Sequence, residues 1–469
     1  MTKKHLGIIL SVVFAVTGVA IVLPMVADAI TKKEIAVCMQ AATNKQKTAN
    51  TAAKETYKKS VTKAAKNKTA LKLAQSNYTK ALNEVKKTFS SESKACKSAV
   101  AAPKKGSGLF GRCEGRGTAK LETFPLDPKN IEMITPMGRV QDSHVLPTDH
   151  QYIIPKGTKS GSLVTDEPKK YEIKAPADGF IVNIELFKEP VEVSYRKDPY
   201  ANNYLVVFEH SCDFYTRLIH IDTLSEKVNS SFSFKNPNDQ HPYAQTRIAV
   251  KQGEVIGTVG PHSFDFQIMD TTRKNNDILS PDNIDPWTSV TVDTFDFVSD
   301  SLKNELLAKN LRTASPLGGR VGYDKQGTLL GNWFKVGRNK NKMGEYWVEE
   351  LSIVYDHIDE SQIRISFGNF GGYPKAFGVK GNAPDPKDIT KAAGMVKYDL
   401  VKFNYYDVSG KVWDTIHFVS GLVAKNTAEL SGVALFELQN NGNLKMETFP
   451  GKSADQVGGF TTQALMYER

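Results

Sequence analysis

Two stretches of the chain alternate apolar and polar residues with the period of a β-strand. The first runs from about Lys174 to Asp270, with Gly and Asp-Gly turns between its apolar segments. These segments include Lys174-Ala-Pro-Ala-Asp-Gly-Phe-Ile-Val182, Tyr204-Leu-Val-Val-Phe-Glu-His210 and Val255-Ile-Gly-Thr-Val259. Alternating apolar residues bounded by turn formers fit a half-buried pleated surface, so this stretch predicts a small all-β domain.

The second stretch, from Ser315 to Arg469, predicts about eight antiparallel strands. Its first segment is Gly331-Asn-Trp-Phe334, and others follow at 345–356, 362–370, 396–406, 411–419, 433–439, 444–449 and 461–467. Asn440-Asn-Gly-Asn443 is typical of a hairpin turn. The strand number and the early Gly-x-Trp resemble a lipocalin-type (calycin) barrel, and a β-sandwich is the alternative. A barrel of this size has a packed interior or holds one small apolar ligand.

Residues 32–102 have a different composition, which favours helix. They are rich in Ala, Lys, Thr and Gln and contain no Gly or Pro. Asn67 is the expected turn of an antiparallel, coiled-coil hairpin, and Cys38 and Cys96 each lie 29 residues from it. Folding about that point brings the two cysteines together, so we expect a Cys38–Cys96 disulfide across the open end.

The remaining cysteines, Cys113 and Cys212, are then left to pair with each other. That bond would attach a Gly/Lys-rich linker, residues 103–134, to the β domain. The alternative is that Cys212 is a buried free thiol. No two cysteines form a C-x-x-C pair, which argues against a cysteine-rich zinc site.

The first 30 residues predict export. Lys3 and Lys4 precede an uncharged run of 21 residues, Leu6 to Val26, and Ala27-Asp-Ala29 fits a signal-peptidase site. The run is long enough to cross a hydrocarbon core of roughly 30 Å. Residues 6–26 are therefore a retained membrane anchor or part of a cleaved signal peptide. In both cases the rest of the chain is extracytoplasmic.

Most of the positive charge lies in the helical segment. Residues 32–105 contain 18 Lys and 4 Glu, which is +14, so the rest of the +10 chain sums to about −4. These lysines either only solvate the hairpin or dock it to an anionic envelope surface or envelope protein. Nucleic acid is not expected as a partner, because the segment is exported, lacks Arg and has few aromatic residues for stacking.

Over roughly residues 135–270 the motifs resemble the LytM/lysostaphin-type zinc metallopeptidase domain. Ala175-Pro176-Ala177-Asp178-Gly179-Phe180-Ile181 matches that family's A-P-x-x-G-x-V, and Gly253-Glu-Val-Ile-Gly-Thr-Val-Gly260 matches its G-x-x-I-G-x-x-G. The resemblance implies zinc held by a His and an Asp of an early strand and by the second His of a closing H-x-H motif. Two further His residues would then assist catalysis.

The closing motif departs from the family pattern, because Ser263 and Asp265 stand where its two His residues are expected. This change removes one metal ligand and one catalytic ring. Loss of a single oxyanion donor typically costs about 100- to 1000-fold in rate. We therefore expect a catalytically degenerate domain without zinc.

An altered zinc site is the alternative. Asp149, His150 and Asp265 would be its ligands, with His144 as an alternative ligand and His220 as the acid or base. Adjacent residues of an extended strand point to opposite faces, so Asp149 and His150 could share a metal only at a bulge.

The sequence thus predicts a multidomain chain with a helical part and two all-β parts. The expected segments are a transmembrane anchor or signal peptide (1–30), a basic hairpin (31–102), a linker (103–134), a LytM-like β domain (135–310) and an antiparallel barrel (315–469). The favoured function is an envelope binding or scaffold module. Alternatives are an active zinc metallopeptidase and an apolar-ligand carrier acting through the barrel.

Overall fold

The computed structural model describes residues 32–65, 67–98, 106–159, 167, 169–188, 202–338 and 346–469. The chain divides into two compact units, Met1–Pro103 and Lys104–Arg469. The apolar run at 6–26 lies outside the described residues, as do the side chains of Cys38 and Cys96. None of the helices described is long and apolar enough to span a membrane.

The first unit contains the predicted helical hairpin. Its helices are α1 (Lys32–Ala64) and α2 (Lys68–Ser98). Asn67 lies at the turn, where its side-chain oxygen accepts hydrogen bonds from the backbone N–H groups of Thr69 and Ala70 and so caps α2. The rings of Tyr57 and Tyr78 stack between the helices with centroids 4.7 Å apart.

The second unit begins with a β domain, residues 106–310. Its strands are β1 (Gly106–Gly108), β2 (Gly111–Cys113), β3 (Ile131–Thr135), β4 (Gln151–Pro155), β5 (Tyr171–Lys174), β6 (Gly179–Leu186), β7 (Tyr204–Glu209), β8 (Phe214–Ile221), β9 (Thr223–Leu224), β10 (Tyr243–Val250), β11 (Val255–Val259) and β12 (Phe264–Asp270). Its short helices are α3 (Glu226–Asn229), between β9 and β10, and α4 (Pro286–Ser289) and α5 (Asp300–Leu307), after β12.

Two antiparallel sheets enclose the core of this domain. Within the described ranges, seven strands form one sheet in the order β10-β6-β7-β8-β12-β4-β3, and three form another in the order β5-β11-β9. Close packing of two strands explains the glycine at position 257 of the Gly253–Gly260 motif. A Cβ at this position would lie 2.1 Å from the carbonyl oxygen of Thr223 on the neighbouring strand.

The expected linker at 103–134 is instead partly core. Leu121, Phe124 and Leu126 are fully or almost fully buried among the residues of the two sheets, and β3 begins at Ile131. The Gly/Lys-rich composition of the first half of this segment hid the apolar second half. Cys113, at the end of β2, forms a disulfide with Cys212 in the turn between β7 and β8.

The C-terminal part is a closed antiparallel barrel, so the sandwich alternative is wrong. In the part of the chain that the structure describes, eight strands close in sequence order. They are β13 (Gly331–Lys335), β14 (Glu350–Tyr355), β15 (Ile363–Phe370), β16 (Tyr373–Val379), β17 (Val396–Tyr406), β18 (Val423–Leu438), β19 (Leu444–Pro450) and β20 (Leu465–Glu468). Large side chains pack inside the barrel, including Trp333, Phe367 and Phe436.

Three details of the strand prediction are wrong, the first being that β18 begins ten residues before the segment expected at 433–439. The segment expected as a strand at 411–419 is a connection, because the carboxylate of Asp414 accepts hydrogen bonds from the backbone N–H groups of Ile416 and His417 and turns the chain. Strand β16 was missed, since Pro374 and Lys375 interrupt its apolar pattern.

Strands β17 and β18 extend beyond the barrel as an arm, residues 403–426, that reaches the β domain. Its Tyr405, Trp413 and Phe418 pack in one apolar cluster with Met133 of β3 and Ile154 of β4. The backbone N–H of Phe418 also donates a hydrogen bond to Glu132 Oε1 (3.2 Å). The barrel arm thus covers one end of the seven-stranded sheet.

Candidate functional site

Strand β12 places Asp265 in the middle of the seven-stranded sheet. It pairs with β8 on one side and β4 on the other, so that Asp265 lies opposite Ile219 and opposite Tyr152. His220 directly follows Ile219, and His150 lies two residues before Tyr152. Three short strands therefore bring two imidazoles to one carboxylate. We call Asp149, His150, His220 and Asp265 the Asp265 cluster.

Asp149 is buried, and its carboxylate contacts three charged or polar side chains. His150 Nδ1 lies 2.9 Å from Asp149 Oδ1, and Arg217 Nη2 lies 3.2 Å from the same oxygen. The hydroxyl of Thr288, on α4, donates to Asp149 Oδ2 at 2.7 Å. Burial opposes ionisation, but Arg217 and the hydrogen bonds from His150 and Thr288 outweigh it and hold the pKa of Asp149 well below its usual range.

The ring of His150 lies between two carboxylates. Its Nδ1 faces Asp149, and its Nε2 lies 3.4 Å from Asp265 Oδ2. Burial opposes protonation of the ring, but Asp265 and Asp149 together raise the pKa of His150 above its ordinary value. The arrangement favours a protonated ring that donates a hydrogen bond from Nδ1 to Asp149 and forms an ion pair through Nε2 with Asp265.

His220 reaches the cluster through a β-bulge. Tyr204 pairs with Ile221 and Leu205 pairs with Ile219, which leaves His220 as the extra residue of β8. Its backbone φ is +73°, a left-handed value that is uncommon for a residue other than glycine. The ring Nδ1 donates to Asn203 Oδ1 at 3.0 Å, and Nε2 lies 3.6 Å from Asp265 Oδ2. Strain of this kind is concentrated at functional sites.

One oxygen of Asp265 is not satisfied by the protein. Asp265 is 4% exposed, and its Oδ1 has no hydrogen-bond partner in the part of the chain that the structure describes. A buried acceptor without a donor costs free energy, so its retention calls for a specific cause. The unsatisfied oxygen marks the cluster as a place where a ligand could donate a hydrogen bond.

The structure arranges the predicted residues differently from the expected three-ligand zinc site. Asp149 and Asp265 contact opposite nitrogens of His150, so these three side chains do not converge on one point. Over the described ranges, no group of three or more His, Cys, Asp or Glu side chains could hold a metal ion. His144 is exposed, and its ring centroid lies 5.8 Å from that of His150.

Asp149 and His150 do not lie on an extended strand, contrary to the expectation from the sequence. They precede β4, which begins at Gln151, so the rule that alternate side chains point to opposite faces does not apply to them. Their side chains therefore bond to each other directly.

Several supporting residues were missed by sequence reasoning. Asn203, Arg217 and Thr288 hold the cluster, yet each belongs to a different segment and to no recognisable motif. The buried pair Asp222–His262 was missed as well. His262 Nε2 donates to Asp222 Oδ2 (2.8 Å), and both side chains are fully buried. In the sequence, Asp222 lies two residues after His220, and His262 lies three residues before Asp265. Their position close to the motif residues was the available signal.

No family model and no curated protein matches this chain. Among solved structures, the NMR solution structure of lysostaphin is similar over 50% of this chain and 84% of that chain, at 12% sequence identity and a TM-score of 0.16. That superposition is too loose to inform the fold. The resemblance to LytM-type domains therefore rests on the sequence motifs alone.

Proposed function

We propose that the β domain is a LytM-like module that binds a ligand without hydrolysing it, in an extracytoplasmic protein that is anchored in a membrane or secreted. The observation that carries this proposal is the position of His150 between Asp149 and Asp265. In the resembled family the corresponding position of Asp265 is a zinc-binding His.

The electrostatics of the cluster oppose both catalysis and metal binding. A zinc ligand or a general base must offer a ring nitrogen with a free lone pair. His150 faces a carboxylate at each nitrogen, and the two carboxylates raise its pKa, which favours the protonated ring. A protonated ring neutralises part of the negative charge of Asp149 and Asp265. The two acids and the imidazolium thereby compensate one another within the domain.

The same geometry supports a role in binding. Asp265 Oδ1 is a buried acceptor that an incoming N–H or O–H group would satisfy. The side chain of His220 is 22% exposed beside it, so the cluster is reached from solvent at the bulge of β8. A ligand that donates to Asp265 and accepts from an imidazole fits this pair of groups.

The disulfide supports the proposed location. Disulfide bonds persist in oxidising compartments and are rare in the reducing cytosol. The Cys113–Cys212 bond joins residues that are 99 positions apart in the β domain. Together with the apolar run at 6–26, it favours an exported protein.

A zinc hydrolase with altered ligands is the second candidate, and one observation favours it, the hydrogen bonds at Nδ1 of His150 and His220. His150 Nε2 and His220 Nε2 lie 3.4 and 3.6 Å from Asp265 Oδ2, more than the roughly 3.3 Å that separates two ligand atoms of a tetrahedral zinc, so the three side chains would have to move closer together to bind the metal. Asp149 bonds to Nδ1 of His150, and Asn203 bonds to Nδ1 of His220. A metal-bound imidazole is commonly oriented by such a bond at its other nitrogen. Asp149 would then support His150 and would not be a ligand.

Metal content distinguishes the two candidates. The exported portion would be purified without chelator as wild type, as Asp265→Ala and as Asp239→Ala, a control that removes an exposed carboxylate elsewhere in the domain. We expect no bound zinc in any of the three by mass spectrometry, and no rise in melting temperature on adding zinc. About one zinc per chain in wild type and control, lost in Asp265→Ala, would refute the binding-only proposal and support the hydrolase.

A further inference from the structure

Among the described side chains of the hairpin α1–α2, the buried and half-buried residues lie along one seam. Buried and half-buried positions of α1 recur every three or four residues, as do those of α2. In α1 they include Met39, Ala42, Gln46, Ala49 and Ala53, and in α2 Leu71, Ala74, Tyr78, Val85 and Phe89. The rest of the surface is polar, with Leu73 as an exposed apolar side chain.

That polar surface is strongly positive. The charged side chains of the hairpin that the structure describes are eleven lysines and two glutamates, and all thirteen of them are exposed. The lysines are Lys45, Lys47, Lys54, Lys58, Lys59, Lys63, Lys68, Lys72, Lys80, Lys86 and Lys87. Clustered charge of one sign raises the local concentration of oppositely charged partners.

The lysines lie on more than one side of the hairpin. Successive residues of a helix are rotated by about 100°, so Lys45 and Lys47 project to opposite sides of Gln46, which lies on the seam. At about 1.5 Å per residue, the 33 residues of α1 form a rod of roughly 50 Å.

We infer that the helical hairpin is a docking rod for a flexible, linear polyanion. A flat bilayer could contact only one side of the rod, whereas a flexible chain can follow lysines on several sides. Among the hairpin side chains that the structure describes, the outer surface has Leu73 as its exposed large apolar residue and carries no apolar stripe of the kind with which an interfacial helix enters a membrane. Lysine ammonium groups act as point charges without a fixed bonding geometry, which suits a partner of repeated, loosely positioned anions. This inference does not depend on the function of the Asp265 cluster.

Long-chain inorganic polyphosphate is a suitable probe, with the full chain as the binding protein. The test variant changes six exposed lysines, Lys47, Lys54, Lys58, Lys72, Lys80 and Lys86, to Gln, which keeps helix propensity. A second variant changes the same six to Arg. A matched control changes six exposed lysines of the second unit, Lys156, Lys169, Lys274, Lys375, Lys391 and Lys411, to Gln.

We expect polyphosphate affinity to fall about tenfold or more in the six-Gln hairpin variant, and to fall with rising salt in wild type. The Arg variant and the control should bind as wild type does, and circular dichroism should show unchanged helix content in every variant. Equal affinity of wild type and the six-Gln hairpin variant would overturn the inference. So would an equal loss in the second-unit control.

Vesicles of phosphatidylglycerol and phosphatidylcholine provide the comparison with a flat anionic surface. If the vesicles bind more tightly than polyphosphate and through the same six lysines, the linear polymer is the wrong partner. The Asp265→Ala variant should keep wild-type polyphosphate affinity, so a failure of this inference and a failure of the proposed function are separable.

Discussion

At the scale of single residues, hydrogen-bond partners decide what the Asp265 cluster can do. A carboxylate facing each nitrogen favours the cationic form of an imidazole that could otherwise bind a metal, as in His150. The sequence could identify Asp149, His150, His220 and Asp265 as candidates, because they lie at or beside the positions where the resembled family has its site residues. It could not show that Asp149 lies behind His150, since that depends on the turn before β4.

Replacing Asp149 by Asn should lower the pKa of His150. The raised pKa means that His150 stabilises the fold fully below its unfolded pKa of about 6.5 and loses this contribution as the pH rises through the folded value. Asp149→Asn should therefore weaken the decline of the unfolding free energy as the pH rises above about 6.5. It should also cost about 1–3 kcal/mol at neutral pH, because Arg217 loses a charged partner.

Two measurements check this prediction, NMR titration of the His150 ring and urea unfolding at a series of pH values above 6. Asp127→Asn serves as the control, since Asp127 is a partly exposed carboxylate away from the cluster. An unchanged His150 titration in Asp149→Asn would show that the 2.9 Å contact does not set the charge of the ring.

At the scale of elements, strand prediction succeeded where alternation was regular and bounded by turns. The barrel strands β15, β17 and β19 lie close to their expected positions for this reason. The bulge that turns His220 into the cluster was not predictable, because it is a mismatch of register between β7 and β8 and not a property of one segment. Likewise, β1 and β2 are short and rich in glycine, and the disulfide and the packing of Phe110 on Trp287 help to hold them.

The Cys113–Cys212 bond should contribute strongly to the stability of the second unit. It connects residues 99 positions apart, and closing a long loop reduces the entropy of the unfolded chain. Replacing both cysteines by Ser should lower the unfolding free energy by about 2–4 kcal/mol, measured by urea unfolding in the absence of reductant. A loss of less than about 0.5 kcal/mol would mean that β1 and β2 are held by packing alone.

At the scale of the whole molecule, the β domain and the barrel share an interface that the sequence did not indicate. Arg312 is buried there, and its guanidinium donates to the carbonyl oxygens of Ala314, Pro316 and His357 and pairs with Glu360. The contacts with His357 and Glu360 join segments that lie 45 and 48 residues apart in the sequence, so no local pattern could reveal them. The boundary that the sequence predicts between the β domain and the barrel, at residues 310–315, lies at this interface.

The interface should be sensitive to acid. Burial lowers the pKa of His357 to about 4. Nearby arginines act in the same direction, whereas Asp356 acts against it. Because the folded state favours the neutral ring, its contribution to stability is complete above an unfolded pKa of about 6.5 and is lost as the pH falls toward 4. His357→Gln should therefore reduce the loss of stability between these pH values. Thermal unfolding of wild type and variant across this range tests the prediction, and His241→Gln, an exposed ring, is the control. Parallel pH curves for wild type and His357→Gln would contradict it.

The barrel arm has a consequence for how the protein can be made and divided. Met133 and Ile154 belong to the N-terminal part of the second unit, yet Trp413 and Phe418 cover them from near the C-terminal end. During synthesis, this apolar surface is exposed until the last third of the chain has been produced. Exposed apolar surface next to sheet strands is prone to aggregation. A fragment ending at residue 310 would keep the Asp265 cluster but also this uncovered surface, so assays of the cluster are best made with the barrel attached.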